Sequence, residues 1–530
     1  MVGANLYNHY MRKILWTLFY FFIFSFLLHN SFSYLDPDYG WHFRFGEIIW
    51  QTKDVPHDQI FMWTLAGKSW VDHEWLGNLA LYGIEKIGGY IGVSLFFALL
   101  IILTYIAINW HIFTFYLKNR TQQYIFAVFE IGTLVWMRPH LGIRLQEITV
   151  ICFALLLIIL DRWRIKKNNV ILLLLPPLLY IWACSHAGFL IGLAMIVFYF
   201  GYELLSSSFP FLKKWTNEST TLPPNTPLFL GIISIASLGA TMLTPYGIRL
   251  YSFLSDYHDS FYRSHLEEWL PPYSFPIHYG QIGIIILAVV TAIGTFFFLK
   301  KTNLLKNSLI VFILAIAAMR SVRHFPLLSV GWLILIVPHC IDMLSRFFDS
   351  LLKPRAKIYI SLITGISLFS LTIVFALGTK FTSTPYTSYC NSYPCAGINF
   401  LRQHPEINRN HLLNHYNFGG FVIGAWPELR LFIDGRLPQY PFAGTTTLRE
   451  YSSFSNKDLI PKKLAEYDIK TVFYLKPPSA PHFNWFEYWV LGYRDSQFTD
   501  TKSPLIEYLA QATEWKMVFE DRMSIIYVKK

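Results

Sequence analysis

ILWTLFYFFIFSFLLHNSFSYLDPDYGWHFRFG, residues 14–46, decides the fold class. Its first 21 residues, 14–34, contain no Asp, Glu, Lys or Arg. That is the length a helix needs to cross the hydrocarbon core of a bilayer. Asp36, Asp38, Trp41, His42 and Arg44 follow immediately. Charges at the mouth of a membrane helix are costly unless they face water or one another, so their presence asks for a function. Arg12 and Lys13 precede the run, as they would in a signal peptide. No small-x-small cleavage site follows, and the segment reads as a retained first membrane helix.

The rest of the chain repeats the pattern. Of 530 residues, 54% are hydrophobic, 18% aromatic and only 15% charged. A soluble protein of this size carries roughly a quarter charged residues. Apolar runs near 14–34, 91–117, 122–137, 145–160, 170–184, 188–205, 226–243, 281–299, 307–319, 326–344 and 358–378 predict a polytopic α-helical membrane protein with about 11 transmembrane helices. Several runs are short, and tilt or merging changes the count by one or two.

The net charge of +11 has a membrane explanation. Basic connections are Arg12 and Lys13, then 117–120, 161–167, 211–215, 300–306 and 345–357. Counting spans, all fall on one side, which the positive-inside tendency assigns to the cytoplasm together with the N-terminus. No basic stripe with interleaved aromatics appears, which argues against nucleic acid. The opposite face holds the first outer loop, 35–90, with MRPH at 137–140, SHAG at 185–188, the 244–269 loop and RSVRH at 320–324. Arg, His, Asp and Glu therefore gather at a single membrane surface.

Two domains are expected: a transmembrane domain, 1–378, that includes the 35–90 loop, and an extracytoplasmic α/β domain, 379–530. In the latter HLLNHY, GFVIGAW, LRLFIDGR, IKTVFYLK and RMSIIYVKK read as strands, and AGINFLRQHP and KDLIPKKLAEYD as helices. Cys152, Cys184 and Cys340 stand alone in apolar runs, as small buried hydrophobes do. Cys390 and Cys395 are spaced to form a disulfide if their domain faces an oxidising space.

Asp36 and Asp38 are the leading chemical candidates. In an extended segment, residues i and i+2 point the same way, so the pair can hold a divalent cation or act as a base and its orienting partner. A second polar knot, WVDHEW, adds Asp72, His73 and Glu74. Helical spacing of Leu76, Leu79, Ala80, Gly83 and Ile87 predicts a helix after it. The plain alternative for a D-x-D is a solvated loop whose acids cap helices. Glu130, inside an apolar run, is a functional candidate or a partner for Arg144 or the neighbourhood of Glu147. Asp434 and Arg436 in FIDGR read as a turn ahead of a catalytic site.

The 36–82 stretch, with its acidic pair, Trp-His and W-V-D-H-E-W-L segment, resembles the first outer loop of a mostly uncharacterised bacterial group in the GT-C superfamily of polytopic membrane glycosyltransferases. RPHLGIRLQEI, WACSHAGFLIG, TPYGIRLY, EEWLPPYS, RSVRHFPL and NHYNFGGFVIGAW leading to LFIDGR resemble later stretches of the group, in the same order. The resemblance implies a helical membrane domain followed by an extracytoplasmic domain. It also implies transfer of a sugar from a polyprenyl-phosphate or -diphosphate carrier at the outer face of the cytoplasmic membrane. The acceptor would be a glycan, lipid or protein. An acid of the first outer loop would serve as base or metal ligand, with Asp38 taken as the base and Asp36 as its partner, or the reverse. Arg138, Arg320 and Arg323 match phosphate geometry with paired donors. His42, His73, His140, His186 and His324, with Asp72 and Glu74, would support the site; each Arg or His alone also reads as an interfacial anchor. No third acidic motif secures a metal, so Mg²⁺ or Mn²⁺ at Asp36 and Asp38 stays an option. Competing readings are an O-antigen polymerase or ligase relying on outer-face Arg and His, and a transporter of lipid-linked glycans. Transporters place polar groups near the midplane, often in repeated broken helices, and no repeat is present here.

Overall fold

The computed structural model describes residues 2–208, 225–256, 260–299, 303–351, 354–476, 482–494 and 503–530. The basic connection expected at 211–215 and the start of that at 300–306 lie outside them. The chain forms two compact units. The first comprises Met1–Leu35, His73–Leu254 and Arg263–Thr382, and the second Asp36–Asp72, Ser255–Tyr262 and Ser383–Lys530. The 35–90 segment, expected as the first outer loop, is thus divided: Asp36–Asp72 pack with the C-terminal residues, and His73 onward belongs to the helical unit.

Each of the eleven apolar runs is helical. Among the described residues, five helices are long and apolar enough to cross a membrane: Lys13–Ser33, Trp75–Phe115, Phe189–Ser208, Tyr279–Phe297 and Tyr359–Gly378. A pair, Val322–Leu335 and Val337–Phe348, is bent by 60° and adds a sixth if it forms one span. Asn169–Ser185 and Thr226–Thr241 are shorter. The Trp75–Phe115 helix is broken at Gly89, whose φ of 61° lies in the left-handed region where glycine carries no Cβ penalty. Its first arm is the helix expected over 76–87.

Position in the bundle sorts the helices. Every residue of Phe325–Leu335 is buried, as expected of a helix apolar on all sides, and it packs on Gln146–Lys166 and Asn303–Arg320. Tyr359–Gly378 packs on the N-terminal helix, yet leaves Ile363, Ile366 and Val374 exposed. An exposed apolar surface of that extent suits lipid contact.

The second unit is α/β. Its four-stranded sheet has the spatial order Leu413–Asn414, Thr471–Leu475, Ser524–Lys529, Trp515–Glu520. The first pair is parallel and the others antiparallel. Helices Cys395–Gln403 and Pro504–Gln511 pack on the sheet. Trp515–Glu520 is a strand the sequence reading missed, and LRLFIDGR forms no regular strand. Its Leu431 instead makes an isolated parallel bridge with Met62, while buried Asn414 bonds the backbone of Phe432 and Ile433 through its side chain.

GFVIGAW, expected as a strand, is part of helix Gly419–Ala425. The physical reason is tertiary. Gly420 and Gly424 are four apart and share one helix face, which packs against helix Tyr39–Thr52. A Cβ on Gly40 would overlap the Gly420 carbonyl oxygen, and one on Gly420 would overlap the Pro37 carbonyl oxygen. This backbone approach overrides the strand preference of Val422 and Ile423.

Candidate functional site

The acidic pair forms a turn, which corrects the extended geometry expected for it. Asp36 is nine-tenths buried, and its Oδ1 accepts the Asp38 backbone N–H at 2.8 Å. Asp38 has φ −87° and ψ −12°, and the helix starts at Tyr39. Tyr39 N–H donates to the Asp36 carbonyl and His42 N–H to the Asp38 carbonyl, each at 3.2 Å. Asp36 therefore shapes the turn, and Asp38, half-buried, presents the more accessible carboxylate.

The FIDGR segment backs this turn. Arg436 donates to both carboxylate oxygens of Asp434, at 3.0 and 2.6 Å, and to Gln59 Oε1 at 3.3 Å. Its guanidinium lies 4.9, 5.4 and 5.1 Å from the ring centres of Phe45, Phe61 and Trp70. Between the paired residues, Gly435 faces the Asp38 carboxylate so closely that a Cβ there would overlap Asp38 Oδ1. FIDGR is a turn, as read from sequence, but one that positions the acid. Gly435→Ala is expected to lower activity at least tenfold with little change in melting temperature. The obstacle is the end of a movable side chain, and a small misplacement of Asp38 is costly if its carboxylate is the base expected from sequence. Turnover and thermal unfolding measured on the same preparation check this.

His42 is buried with its ring 3.6 Å from that of Trp41, and Asp72 in the same unit is fully buried. Among the described residues no three His, Cys, Asp or Glu side chains gather as a metal set. Asp36 and Asp38 would offer a divalent cation carboxylate oxygens only, with the remaining ligands drawn from water and substrate phosphate, as Mg²⁺ often arranges.

The other candidates belong to the helical unit and fall into small groups. Glu74 lies 3.6 Å from His186 and 3.8 Å from His73. His186 Nδ1 is 2.7 Å from the Thr149 hydroxyl, which also accepts from Trp182. Arg138 is exposed and donates to Asn30 at 3.1 Å, while Asn30 bonds back to the Arg138 and Leu141 carbonyls. Arg323 is ion-paired with Glu268, whose neighbour Trp269 faces both Arg323 and His324. Glu268 thus engages one amine of a guanidinium expected to bind phosphate. Arg320 is exposed and has no polar partner among the described residues. His140 is buried against Gln281, and burial together with Arg144, His278 and Arg323 pushes its pKa down to about 3.

Glu130 finds its partner in Asn109, at 3.3 Å, and not in Arg144. Sequence reasoning also missed a buried polar group. Asp161 binds His111 at 2.8 Å and Tyr116 at 2.7 Å, near an Arg164–Glu203 contact at 3.7 Å, and Lys306 lies over Tyr199. The 161–167 run, DRWRIKK, reads as a basic connection because Asp161 and its arginines are continuous with lysines. The signal available was Glu203, an acid within an apolar run.

His415, in the second unit, was not singled out either. Burial against Phe418 and Tyr474 lowers its pKa to about 4. A base with a depressed native pKa binds its proton more tightly when unfolded, so stability falls as pH drops from about 6.5 towards 4. Melting temperature against pH is expected to decline over that window, and more shallowly in His415→Gln.

No protein-family profile and no curated protein matches the sequence. The fold does match solved structures. The apo oligosaccharyltransferase of Archaeoglobus fulgidus aligns over 98% of this chain and 74% of that one, with TM-score 0.54 and 10% identity. The Archaeoglobus fulgidus oligosaccharyltransferase AglB in complex with an inhibitory peptide and a dolichol-phosphate aligns over 99% and 74%, with TM-score 0.51 and 9% identity. This chain has the GT-C fold. A third structure of the Archaeoglobus oligosaccharyltransferase, tethered to an acceptor peptide containing the NVT sequon, aligns at TM-score 0.50 and 10% identity. The GT-C likeness runs through both units, in line with the helical part and C-terminal α/β part expected from sequence.

Proposed function

We propose that this protein is a membrane glycosyltransferase. It moves a sugar from a polyprenyl-phosphate or -diphosphate carrier to a glycan, lipid or protein acceptor of the cell envelope. The observation that carries the reading is the acidic turn at 36–38, held against FIDGR in a chain with the fold of oligosaccharyltransferases. That one such enzyme was solved with dolichol-phosphate supports a polyprenyl-type donor.

In this reading Asp38 takes the proton of the acceptor hydroxyl. The acceptor oxygen bonds to the anomeric carbon with inversion, and the carbon–oxygen bond to phosphate breaks. Polyprenyl phosphate or diphosphate leaves with the bonding electrons. Asp36 fixes the turn that aims Asp38. Arg138 and Arg320 are the donor-phosphate candidates whose guanidiniums are exposed. In the alternative in which Asp36 and Asp38 are metal ligands and not a base and its partner, a Mg²⁺ or Mn²⁺ ion held by them would neutralise charge on the departing phosphate. The basic connections put the N-terminus in the cytoplasm and residues 379–530 outside. The Cys390–Cys395 disulfide supports an oxidising outer compartment for them.

The test is turnover of a defined polyprenyl-phosphate sugar by purified protein in proteoliposomes, with and without EDTA. Release of polyprenyl phosphate tied to sugar in an acceptor fraction is expected. Transbilayer movement of intact donor without cleavage would assign a transporter. Activity that tolerates both Asp36→Asn and Asp38→Asn but not Arg320→Ala would assign the polymerase or ligase type.

A further inference from the structure

The second unit contains a separate open cavity of about 570 Å³, lined by Trp63 and Trp426 among mainly polar residues. We infer that it is a binding site for a short acidic oligosaccharide. Trp63 is stacked on His411 with ring centres 4.6 Å apart and is anchored by its indole N–H to the Leu412 carbonyl. Trp426 has the Arg409 guanidinium 5.3 Å and the Arg402 guanidinium 5.2 Å from its ring centre. Two rigid indoles at a polar cavity suit a pyranose. The C–H groups on one face of the sugar ring carry partial positive charge and lie well on the negative face of an aromatic ring.

The polar lining supplies the rest of such a site. Asn408 and Asn410 are exposed amides that donate and accept, as sugar hydroxyls require. Lys470 is already paired with Asp468 at 2.6 Å. The remaining charges are Arg409 and Arg430 against Glu428, which leaves one guanidinium in excess. Arg430 is exposed, with no polar partner among the described residues. A guanidinium at the edge of an aromatic cavity calls for a carboxylate or phosphate on the ligand, because its fork matches two such oxygens. The backbone is also unusual here. His411 and Asp468, both lining residues, have φ of 55° and 48°. Left-handed non-glycine residues cost energy and cluster where a side chain must be aimed.

A volume of this size exceeds what a single anion needs and falls in the range of small-molecule sites. The cavity is distinct in residues from the acidic turn and FIDGR. Its occupancy does not depend on transfer chemistry, so the inference and the proposed function fail separately. If both hold, the cavity grips a growing or acceptor glycan while the reacting end is elsewhere.

The experiment is titration of full-length protein in detergent, read by intrinsic tryptophan fluorescence and by calorimetry. The probes are tetragalacturonate, the neutral glucose tetrasaccharide maltotetraose, and inorganic phosphate. Saturable tetragalacturonate binding is expected, about tenfold or more tighter than maltotetraose or phosphate, as one lost charge-assisted hydrogen bond implies. Arg430→Gln should weaken it by about tenfold and Trp426→Leu by at least as much, with the melting temperature of the Arg430 variant unchanged. Three results would overturn the inference: no saturable tetragalacturonate binding, maltotetraose or phosphate binding as tightly, or affinity unchanged in Arg430→Gln. Should Trp426→Leu fail to fold, the Arg430 variant still decides.

Discussion

Asp38→Asn is expected to reduce sugar transfer in proteoliposomes by a factor of about 10² to 10⁴, the range a positioned base contributes. The substitution keeps the side chain's shape and removes only its basicity. The turn should survive, because Asp38 enters it through its backbone: its N–H bonds to Asp36 Oδ1 and its carbonyl accepts from His42. Melting temperature and disulfide content are therefore expected to match wild type. Asp36→Asn separates the two acids, since an amide oxygen still accepts the Asp38 N–H and preserves the turn. A small effect there beside a large one at Asp38 assigns the base. Full activity in Asp38→Asn would remove the acidic turn from the chemistry, and the proposed mechanism with it.

The second large effect is on stability. Arg436 and Asp434 are almost completely buried, at 3% and 0% exposure, and each is the other's ionic partner. Removing one partner of a buried pair leaves an uncompensated charge and costs about 3–5 kcal/mol. Arg436→Met and Asp434→Ala are each expected to lose that much. The double variant should lose less than the sum, because neither charge is then stranded. Chemical denaturation of the second unit, followed by the near-ultraviolet signal of its tryptophans, measures all three. Arg436 also contacts Gln59, Phe45, Phe61 and Trp70, so its loss loosens the segment that bears Asp38. Activity in Arg436→Met should fall even at temperatures where the fold persists. Independent, additive losses in the two single variants would show that the pair is not coupled.

Much of the helical unit was legible because its signal is strong and local. A run such as 14–34, without one charged side chain, has few alternatives in any sequence, and all eleven apolar runs, including those that carry a single acid, are helical. The number long and apolar enough to span was less legible, since Asn169–Ser185 and Thr226–Thr241 are short and Val322–Phe348 is bent. In the second unit, local preference misled at GFVIGAW. Its Val and Ile favour a strand, but two glycines on one face admit helix Tyr39–Thr52 at backbone contact. The same contact explains why the acidic pair is a turn and not the extended D-x-D assumed from spacing.

By itself the sequence determined that this is a mostly helical protein with several long apolar helices, an acidic segment after the first of them and a C-terminal α/β region. Hydrophobic length and charge placement act over neighbouring residues and can be read one segment at a time. Only the tertiary structure decided that Asp36–Asp72 pack with the C-terminal residues, that FIDGR backs Asp38, and that Trp63 and Trp426 line one cavity. These pairings join positions more than 300 residues apart. They rest on backbone approach, buried ion pairing and ring packing, none of which leaves a periodic trace in the chain.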